Sequence, residues 1–313
     1  MRGLELSRAF FETHGRPMLE EQFPELLPLL AVGLFGSGSE CFGYDDATSR
    51  DHDFEPGFCI FLPGEEKVDR RTAFLLERAY AKLPKEFAGV CRSTLSPVGG
   101  ARHGVLRTEE FFRATVGLED GALSNERWLT LSEQSLAEAT NGEVFLDNFG
   151  EVSRIREMLS SFPEDIRRKR LAGQLLLMAQ SGQYNYLRCL KHNEPAAAQL
   201  AVAEFVQSTI AAAFLLNRRY RPYYKWSFRA LRELPKLSEL SIHLEWLLTT
   251  GNEPEQAEAK YDAIEQIAVD VISELTEQSL TKAICGDLEK HAYSVNDGIT
   301  DAQIRNLHIL ATV

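Results

Sequence analysis

The chain has 313 residues, of which 44% are hydrophobic and 26% are charged, and its formal net charge is -12 at pH 7. This composition is typical of a soluble globular protein, and the chain is long enough for two domains and a large core. The acidic balance excludes general affinity for nucleic acid or for an anionic membrane, because that binding depends on lysine and arginine neutralising phosphates. Five cysteines without a Cys-x-x-Cys pair predict reduced thiols rather than a disulfide framework or a zinc site. The N-terminus lacks signal-peptide character, and no run approaches the roughly 18 apolar residues of a transmembrane helix, so we predict a cytoplasmic protein.

Helical and strand patterns alternate in the first half of the chain. Apolar residues at helical spacing predict helices at residues 4–13 and 17–27, the second disturbed by Pro24. Two short apolar runs, 31–35 and 58–62, predict buried strands. The other elements predicted in this half are helices at 68–83, 109–116 and 128–139, a strand at 101–108 and an edge strand at 143–146.

The two buried strands are joined by a segment rich in glycine and serine. Its residues at the end of the first strand are Gly36, Ser37, Gly38, Ser39 and Gly43. Glycine tolerates positive φ and has no Cβ, so the backbone can turn sharply and come close to a phosphate. A P-loop is excluded, because no Gly-Lys-Ser/Thr sequence is present here. The segment predicts a phosphate-binding turn; the simpler alternative is a glycine-rich connection followed by a solvated loop.

An acidic pair, Asp51 and Asp53, follows this turn. On an extended segment residues i and i+2 point to the same side, so both carboxylates face one point. Two close like charges repel each other unless a cation lies between them, and oxygen ligands suit Mg²⁺. The pair therefore predicts a magnesium site. His52 points to the opposite side and is assigned a supporting role, while Asp45 and Asp46 are assigned to turn formation or solvation.

At these residues the chain resembles the nucleotidyltransferase superfamily of polymerase beta, kanamycin nucleotidyltransferase and the minimal nucleotidyltransferases. The signature of that family is a strand ending in Gly-Ser, a short helix, and Asp-x-Asp opening the next strand. Gly38-Ser39-Glu40-Cys41-Phe42-Gly43 matches its Gly-Ser-x-x-x-Gly form, and Ser49-Arg50-Asp51-His52-Asp53 matches Ser-Asp-x-Asp with one inserted residue. A second register, Gly36-Ser37, fits the strand equally well. The resemblance implies Mg²⁺ at Asp51 and Asp53 and phosphate contacts from Gly38 and Ser39, with Ser37 as the alternative.

The third metal-binding carboxylate of that family would lie on the strand predicted at 101–108, and this strand has none. Alternation places His103 and Arg107 on one face, while Glu109 and Glu110 are expected to open the following helix. The third acid is therefore either displaced or absent. This departure places two-metal catalysis in doubt, because a pair of ions needs enough ligands to hold both.

Strand patterns almost vanish after residue 150, and apolar residues recur at helical spacing through the rest of the chain. We predict an α+β protein with a small mixed-sheet nucleotidyltransferase-like domain at residues 1–150 and an all-α helical-bundle domain at 151–313. The whole chain also resembles an uncharacterised bacterial and fungal family of predicted nucleotidyltransferases, in which Ser-x-Asp-His-Asp and Tyr-Tyr-Lys-Trp are recurring segments.

Two clusters of aromatic and basic residues in the helical half are candidate nucleotide contacts. They consist of Tyr184 and Arg188, and of Tyr223, Tyr224, Lys225 and Arg229. Aromatic rings stack on bases, and cations hold phosphates. In kanamycin nucleotidyltransferase and its relatives a helical domain closes the cleft, so the resemblance implies that these residues reach the nucleotide. The alternative is a helix C-terminus with favourable basic charges, followed by aromatic residues packed in the core.

These observations define a function hypothesis and two rivals. In the hypothesis, a nucleoside monophosphate is transferred from an NTP, with ATP expected, to a hydroxyl of a small molecule or protein, with Mg²⁺ as cofactor. The first rival is a catalytically inactive nucleotide-binding or interaction protein on the same fold. The second is a structural helical protein that binds a partner through an apolar groove and binds no nucleotide.

Overall fold

The computed structural model describes residues 1–46, 48, 54–92, 103–118 and 122–312. The chain divides into two compact units. The first comprises Met1–Leu123 and Leu131–Ser160, and the second comprises Ser124–Thr130 and Ser161–Val313. The main division at residue 160 and the predicted boundary at 150 differ by the helix Glu151–Met158.

The strands of the described residues all lie in the first unit. They are β1 (Ala31–Leu34), β2 (Cys59–Leu62), β3 (Glu86–Phe87), β4 (Val90–Cys91), β5 (Gly104–Arg107) and β6 (Glu143–Asp147). Four of them form a mixed sheet in the order β5-β2-β1-β6, and β3 and β4 form a separate hairpin. β1 is antiparallel to β2 and β6, whereas β2 is parallel to β5. The two predicted buried strands are thus the central pair, and the predicted edge strand is β6.

Helices make up most of the remaining structure. In chain order they are α1 (Gly3–Phe10), α2 (Arg16–Gln22), α3 (Arg70–Ala81), α4 (Thr108–Val116), α5 (Asn125–Thr130), α6 (Glu133–Thr140), α7 (Glu151–Met158), α8 (Glu164–Met178), α9 (Tyr186–Lys191), α10 (Pro195–Leu216), α11 (Tyr224–Arg232), α12 (Leu240–Thr249), α13 (Pro254–Glu277), α14 (Leu288–Asp297) and α15 (Ala302–Arg305). The predicted α+β class, with a mixed-sheet region followed by a helical region, is confirmed.

Apolar side chains cover both faces of the sheet. On one face Val32 and Ile60 belong to a buried cluster with residues of α1, α2 and α3. On the other face the ring of Phe35 stacks on that of Phe61, with centroids 4.6 Å apart, and Phe111 of α4 packs edge-on against both. β1 and β2 are therefore buried on both sides, which explains why they occur in the sequence as continuous apolar runs rather than alternating ones.

The N-terminal helix does not break where the sequence predicted. A π-helical segment, Phe11–Gly15, joins α1 to α2, so residues 3–22 form one continuous helix instead of two. The Arg16 N–H donates to the Phe11 carbonyl, which is the hydrogen bond of a π-turn. This wider turn accommodates Pro17, which has no N–H to donate. A Cβ at position 15 would overlap the ring of Phe58, so Gly15 allows close packing rather than ending the helix.

The helix predicted at residues 128–139 is two helices, α5 and α6. Ser132 separates them, because its hydroxyl accepts a hydrogen bond from the Gln134 N–H at 3.1 Å and caps the start of α6. α5 belongs to the second unit and α6 to the first. Apolar residues occur at helical spacing on both sides of Ser132. Hydrophobic periodicity alone therefore predicts one helix here and does not show that the two halves belong to different units.

Helix α10 is the core helix of the second unit. In the part of the chain that the structure describes, it is the one helix long and apolar enough, by length and composition, to cross a membrane. Of its most apolar window, 67% is buried inside the protein, and α10 packs against α8, α9 and α12. A buried core helix meets the same length and composition criteria, so the feature is only a weak indication of a membrane span.

Candidate functional site

The glycine-serine segment leaves the C-terminal end of β1, at the centre of the sheet. Its backbone has φ of +125° at Gly36, +136° at Gly38 and +71° at Gly43, which are conformations that residues with a Cβ rarely adopt. Ser37 is exposed, whereas Gly38 and Ser39 are half-buried. The predicted sharp turn is present. Residues 36–43 form bends and turns, and residues 44–46 have no regular structure, so the short helix of the nucleotidyltransferase signature is not found within 36–46.

Asn141, at the end of α6, fixes this turn from the side. Its Oδ1 accepts a hydrogen bond from the Gly36 N–H at 2.9 Å, and its Nδ2 donates to the Gly36 carbonyl at 2.8 Å. The neighbouring Gly142 N–H donates to the Cys41 carbonyl at 2.8 Å. Both backbone groups of Gly36 are thereby satisfied by one side chain, and the conformation of the turn is held by residues distant in sequence.

Arg156 of α7 completes the support of the turn. Its guanidinium lies 4.4 Å from the centroid of the Phe35 ring. It donates to the carbonyls of Ala139, Thr140 and Asn141 at 3.2, 3.0 and 2.7 Å. Burial lowers the pKa of Arg156 to about 10, so the side chain is still charged at neutral pH. Sequence reasoning missed both Asn141 and Arg156, because nothing in the sequence shows that α6 and α7 meet this turn.

The two aspartates that follow the turn have structural roles, in agreement with the prediction. The Asp45 carboxylate accepts a hydrogen bond from the Gly3 N–H at 2.9 Å, at the N-terminus of α1, where negative charge is favourable. The Asp46 carboxylate accepts from the Thr48 N–H at 2.9 Å. These contacts are those of a helix cap and a local turn.

Asp51 and Asp53, the predicted magnesium ligands, lie outside the described residues, as does His52. The metal site therefore stays a prediction. Within residues 1–46, 48, 54–92, 103–118 and 122–312, no group of three or more His, Cys, Asp or Glu is placed to hold a metal ion.

Strand β5 has the sequence Gly-Val-Leu-Arg and so carries no carboxylate. It lies beside β2 in parallel register, with Cys59 opposite Gly104 and Leu62 opposite Arg107. Glu109 and Glu110 fall in the first turn of α4, where acids stabilise a helix.

A different acid, Glu55, lies close to the start of β5. Its Oε1 is 3.0 Å from Nδ1 of His103, and the two side chains are 20% and 9% exposed. In the sequence Glu55 continues the alternation of Asp51 and Asp53. This two-residue spacing could have identified Glu55 as a candidate from the sequence, but the family signature ends at the second aspartate. Glu55 is therefore a candidate for the displaced third acid.

The first aromatic cluster of the helical unit is a local pair. Tyr184 lies in a π-helical segment, Ala179–Asn185, that joins α8 to α9. The Arg188 guanidinium stands 4.7 Å from the centroid of the Tyr184 ring and donates to its hydroxyl at 2.9 Å. Both side chains are exposed, so they are accessible to a ligand.

The second cluster surrounds the N-terminus of α11. The rings of Tyr223 and Tyr224 have centroids 4.3 Å apart, and the hydrogen bond between the two side chains raises the pKa of Tyr223. The Lys225 Nζ lies 4.8 Å from the centroid of the Trp226 ring. Arg229 lies in the last turn of α11. Tyr184 and Arg188 make no hydrogen bond, ion pair or ring contact with these residues among those that the structure describes.

Some of the basic charge near α11 is used structurally. Arg218 pairs with Glu164 at 2.9 Å, and the Arg221 side chain donates to the Gln207 carbonyl at 3.3 Å. Contacts with α8 and α10 therefore take up part of the positive charge next to Lys225 and Arg229.

Residues 128–227 match a protein family described as a Domain of unknown function (DUF4037). Neither the curated proteins nor the solved structures contain a match to the chain. The matched region includes Tyr184, Arg188, Tyr223, Tyr224 and Lys225, and it excludes Arg229, the glycine-serine turn and the Asp51–Asp53 pair. The similarity therefore concerns the segment between α5 and α11 and carries no described activity.

Proposed function

We propose that this protein is a Mg²⁺-dependent nucleotidyltransferase, which moves a nucleoside monophosphate from an NTP to a hydroxyl of a small molecule or protein. The observation that carries the proposal is the glycine turn at the end of β1. Positive φ at Gly36 and Gly38 and the two hydrogen bonds between Gly36 and Asn141 define a backbone turn that precedes the acidic pair in the sequence. Such a backbone suits an approaching triphosphate.

The donor chemistry near this turn fits a hard divalent cation. Asp51 and Asp53 supply carboxylate oxygens and would hold Mg²⁺, and the carboxylate of Glu55 follows in the same alternation. Mg²⁺, when bound, neutralises charge on the phosphates and on the departing pyrophosphate. No thiolate or imidazole cluster competes for another metal within the described ranges.

The remaining roles belong to the protein's own groups. Ser39 and the backbone of Gly38 bind the β- and γ-phosphates, with Ser37 as the alternative hydroxyl. His103 orients Glu55 through their hydrogen bond and acts only as a positioning residue. The aromatic and basic residues of the helical unit remain candidate contacts for the base, the phosphates or the acceptor: Tyr184, Arg188, Tyr223, Tyr224, Lys225 and Arg229.

A catalytically inactive nucleotide-binding protein is the second candidate. The lack of a carboxylate on β5 favours it, because two metal ions need more ligands than Asp51 and Asp53 provide. The two candidates differ in chemistry but share nucleotide binding at the turn. Transfer of the labelled α-phosphate from an NTP to components of a cell extract distinguishes them, since only the active protein forms a labelled product.

Nucleotide binding is tested by thermal unfolding with each of the four NTPs, with and without Mg²⁺. Ligand at 100 times its Kd stabilises the folded state by about 2.7 kcal/mol, and this raises the melting temperature. We expect at least one NTP to give a Mg²⁺-dependent shift, and Asp53→Asn to abolish it without lowering the melting temperature of the free protein.

Asp46→Asn is the matched control, because it removes one exposed carboxylate from the same connection between β1 and β2. It should keep the full Mg²⁺-dependent shift. If no NTP shifts the wild type, or if Asp46→Asn and Asp53→Asn have equal effects, the proposed function is wrong, and the interaction-protein rival takes its place.

The same NTP titration distinguishes the two alternative phosphate-binding serines, Ser39 and Ser37. We expect Ser39→Ala to weaken NTP binding about tenfold, as loss of one hydrogen bond to a charged phosphate predicts. The Ser39 carbonyl accepts the N–H groups of Phe42 and Tyr44 at 3.2 and 2.8 Å, so this residue is held in a fixed orientation. Ser37→Ala is the matched control and should change the affinity less than twofold. The opposite order of effects would assign the phosphate contact to Gly36-Ser37.

A further inference from the structure

The second unit contains a pocket of about 530 Å³. Gln183 and Tyr184 of the π-helical segment, Tyr261 and Glu265 of α13, and Asp287 and Glu289 at the start of α14 line it. This volume is within the range of small-molecule sites. Of the lining residues only Tyr184 is also a candidate nucleotide contact. A test on Glu265 and Glu289 therefore succeeds or fails separately from the proposed function.

One side chain, that of Gln183, connects the three elements that line the pocket. Gln183 Nε2 donates to Glu265 Oε2 and to the Gly286 carbonyl, both at 2.9 Å, and its Oε1 accepts the Leu288 N–H at 3.0 Å. Gln183 thus joins the π-helical segment to α13 and to α14. Because these contacts are internal to the fold, the pocket is preformed, and little ordering is needed for a ligand to bind.

Close packing on the other side of the π-helical segment supports this arrangement. A Cβ at Gly182 would overlap the ring of Phe205 and lie 2.8 Å from a methyl group of Ile264. Gly182 therefore lets the segment approach α10 and α13 closely, while Gln183 and Tyr184 border the pocket. π-Turns within α-helices occur frequently at functional sites.

The charges and rings of the lining select for a cation. Three lining residues are acids, two are tyrosines and none is basic. Burial and the neighbouring carboxylate of Glu265 raise the pKa of Tyr261. Ammonium groups are attracted both to carboxylates and to the faces of aromatic rings. A triphosphate would be repelled by the same groups.

The acids are arranged for an organic cation rather than for a metal ion. Glu265 and Glu289 belong to different helices, and among the described residues no three acids converge as metal ligands. Carboxylates on α13 and at the start of α14 match a ligand with separated positive charges. We propose that this pocket binds a linear polyamine, with its ammonium groups on Glu265, Asp287 and Glu289 and its alkyl chain along Tyr261.

The proposal is tested by calorimetric titration of the full chain with spermidine. We expect one saturable site with Kd below about 1 mM. Glu265→Gln keeps the acceptor for Gln183 and should weaken binding about tenfold, as should Glu289→Gln, which changes an exposed side chain. Asp270→Asn removes an acid of α13 outside the pocket lining and should change Kd less than twofold.

Two controls distinguish a specific polyamine site from general attraction of cations to an acidic protein. A neutral diol of similar length should not bind, and NaCl of matched ionic strength should not displace spermidine completely. Binding that does not saturate, or that weakens equally in Asp270→Asn and Glu265→Gln, would reflect general attraction to an acidic protein and would overturn the proposal. Tighter binding of Mg²⁺ than of spermidine at Glu265 would overturn the choice of an organic cation.

Discussion

Replacing Gly142 by alanine is expected to lower the free energy of unfolding of the first unit by about 4 kcal/mol. Gly142 has φ of +58°, which alone disfavours a side chain. A Cβ at this position would also overlap the Leu34 carbonyl oxygen and lie 2.9 Å from Cα of Phe35. These are backbone atoms of the central strand and the start of the turn, so the clash cannot be relieved by a change of rotamer.

Gly150→Ala is the matched control for this prediction. Gly150 also has positive φ, +77°, but a Cβ there would meet nothing within 4 Å. Gly150→Ala places a side chain at positive φ without a steric clash. We expect it to lower the free energy of unfolding of the first unit by about 1 kcal/mol. The difference between the two variants therefore measures the space available beside β1. Equal losses would show that β1 and β6 separate to admit the methyl group.

Urea unfolding must be followed by two signals, because the reporters are unevenly distributed. All three tryptophans, Trp128, Trp226 and Trp246, belong to the second unit, so tryptophan fluorescence follows that unit. Far-UV circular dichroism follows both. We expect Gly142→Ala to shift unfolding of the first unit, seen by circular dichroism but not by tryptophan fluorescence, to lower urea concentration. Hydrogen exchange of the β1 and β6 amides should also accelerate.

The central strands and the glycine turn were predictable because their causes are local. A strand buried on both faces is a short apolar run, and the runs ending at Phe35 and Leu62 match β1 and β2 within one residue. Likewise, only glycine tolerates the φ found at Gly36 and Gly38. In each case the residue type that the structure requires is visible at the position itself.

The support of the turn was not predictable, because its cause is tertiary. Asn141 and Gly36 are 105 positions apart in the chain, and their contact depends on the pairing of β1 with β6. The break predicted before Pro17 was wrong for a related reason. Gly15 is a contact point for Phe58, and a π-turn absorbs the proline, but spacing and residue type alone predict a helix end at this place.

Arg156→Met is expected to destabilise the first unit by about 3 kcal/mol. Methionine preserves the apolar stem and a favourable contact with the Phe35 ring, but it donates no hydrogen bond. The carbonyls of Ala139, Thr140 and Asn141 would lose their charged donor at the C-terminal end of α6, where positive charge is favourable. Arg156→Lys keeps the charge but has fewer donors in a fixed geometry, so its loss should be intermediate.

Arg154→Met is the control, since Arg154 is an exposed residue of the same helix and its replacement should cost less than about 0.5 kcal/mol. The comparison also tests how the turn is held. Asn141 clamps Gly36, and Arg156 holds the Asn141 carbonyl, so Arg156→Met should accelerate hydrogen exchange at Gly36 as well as in α6. Faster exchange in α6 alone would mean that Asn141 keeps the turn in place without Arg156. Faster exchange at both places would make Arg156 the side chain through which α7 determines the shape of the proposed phosphate site.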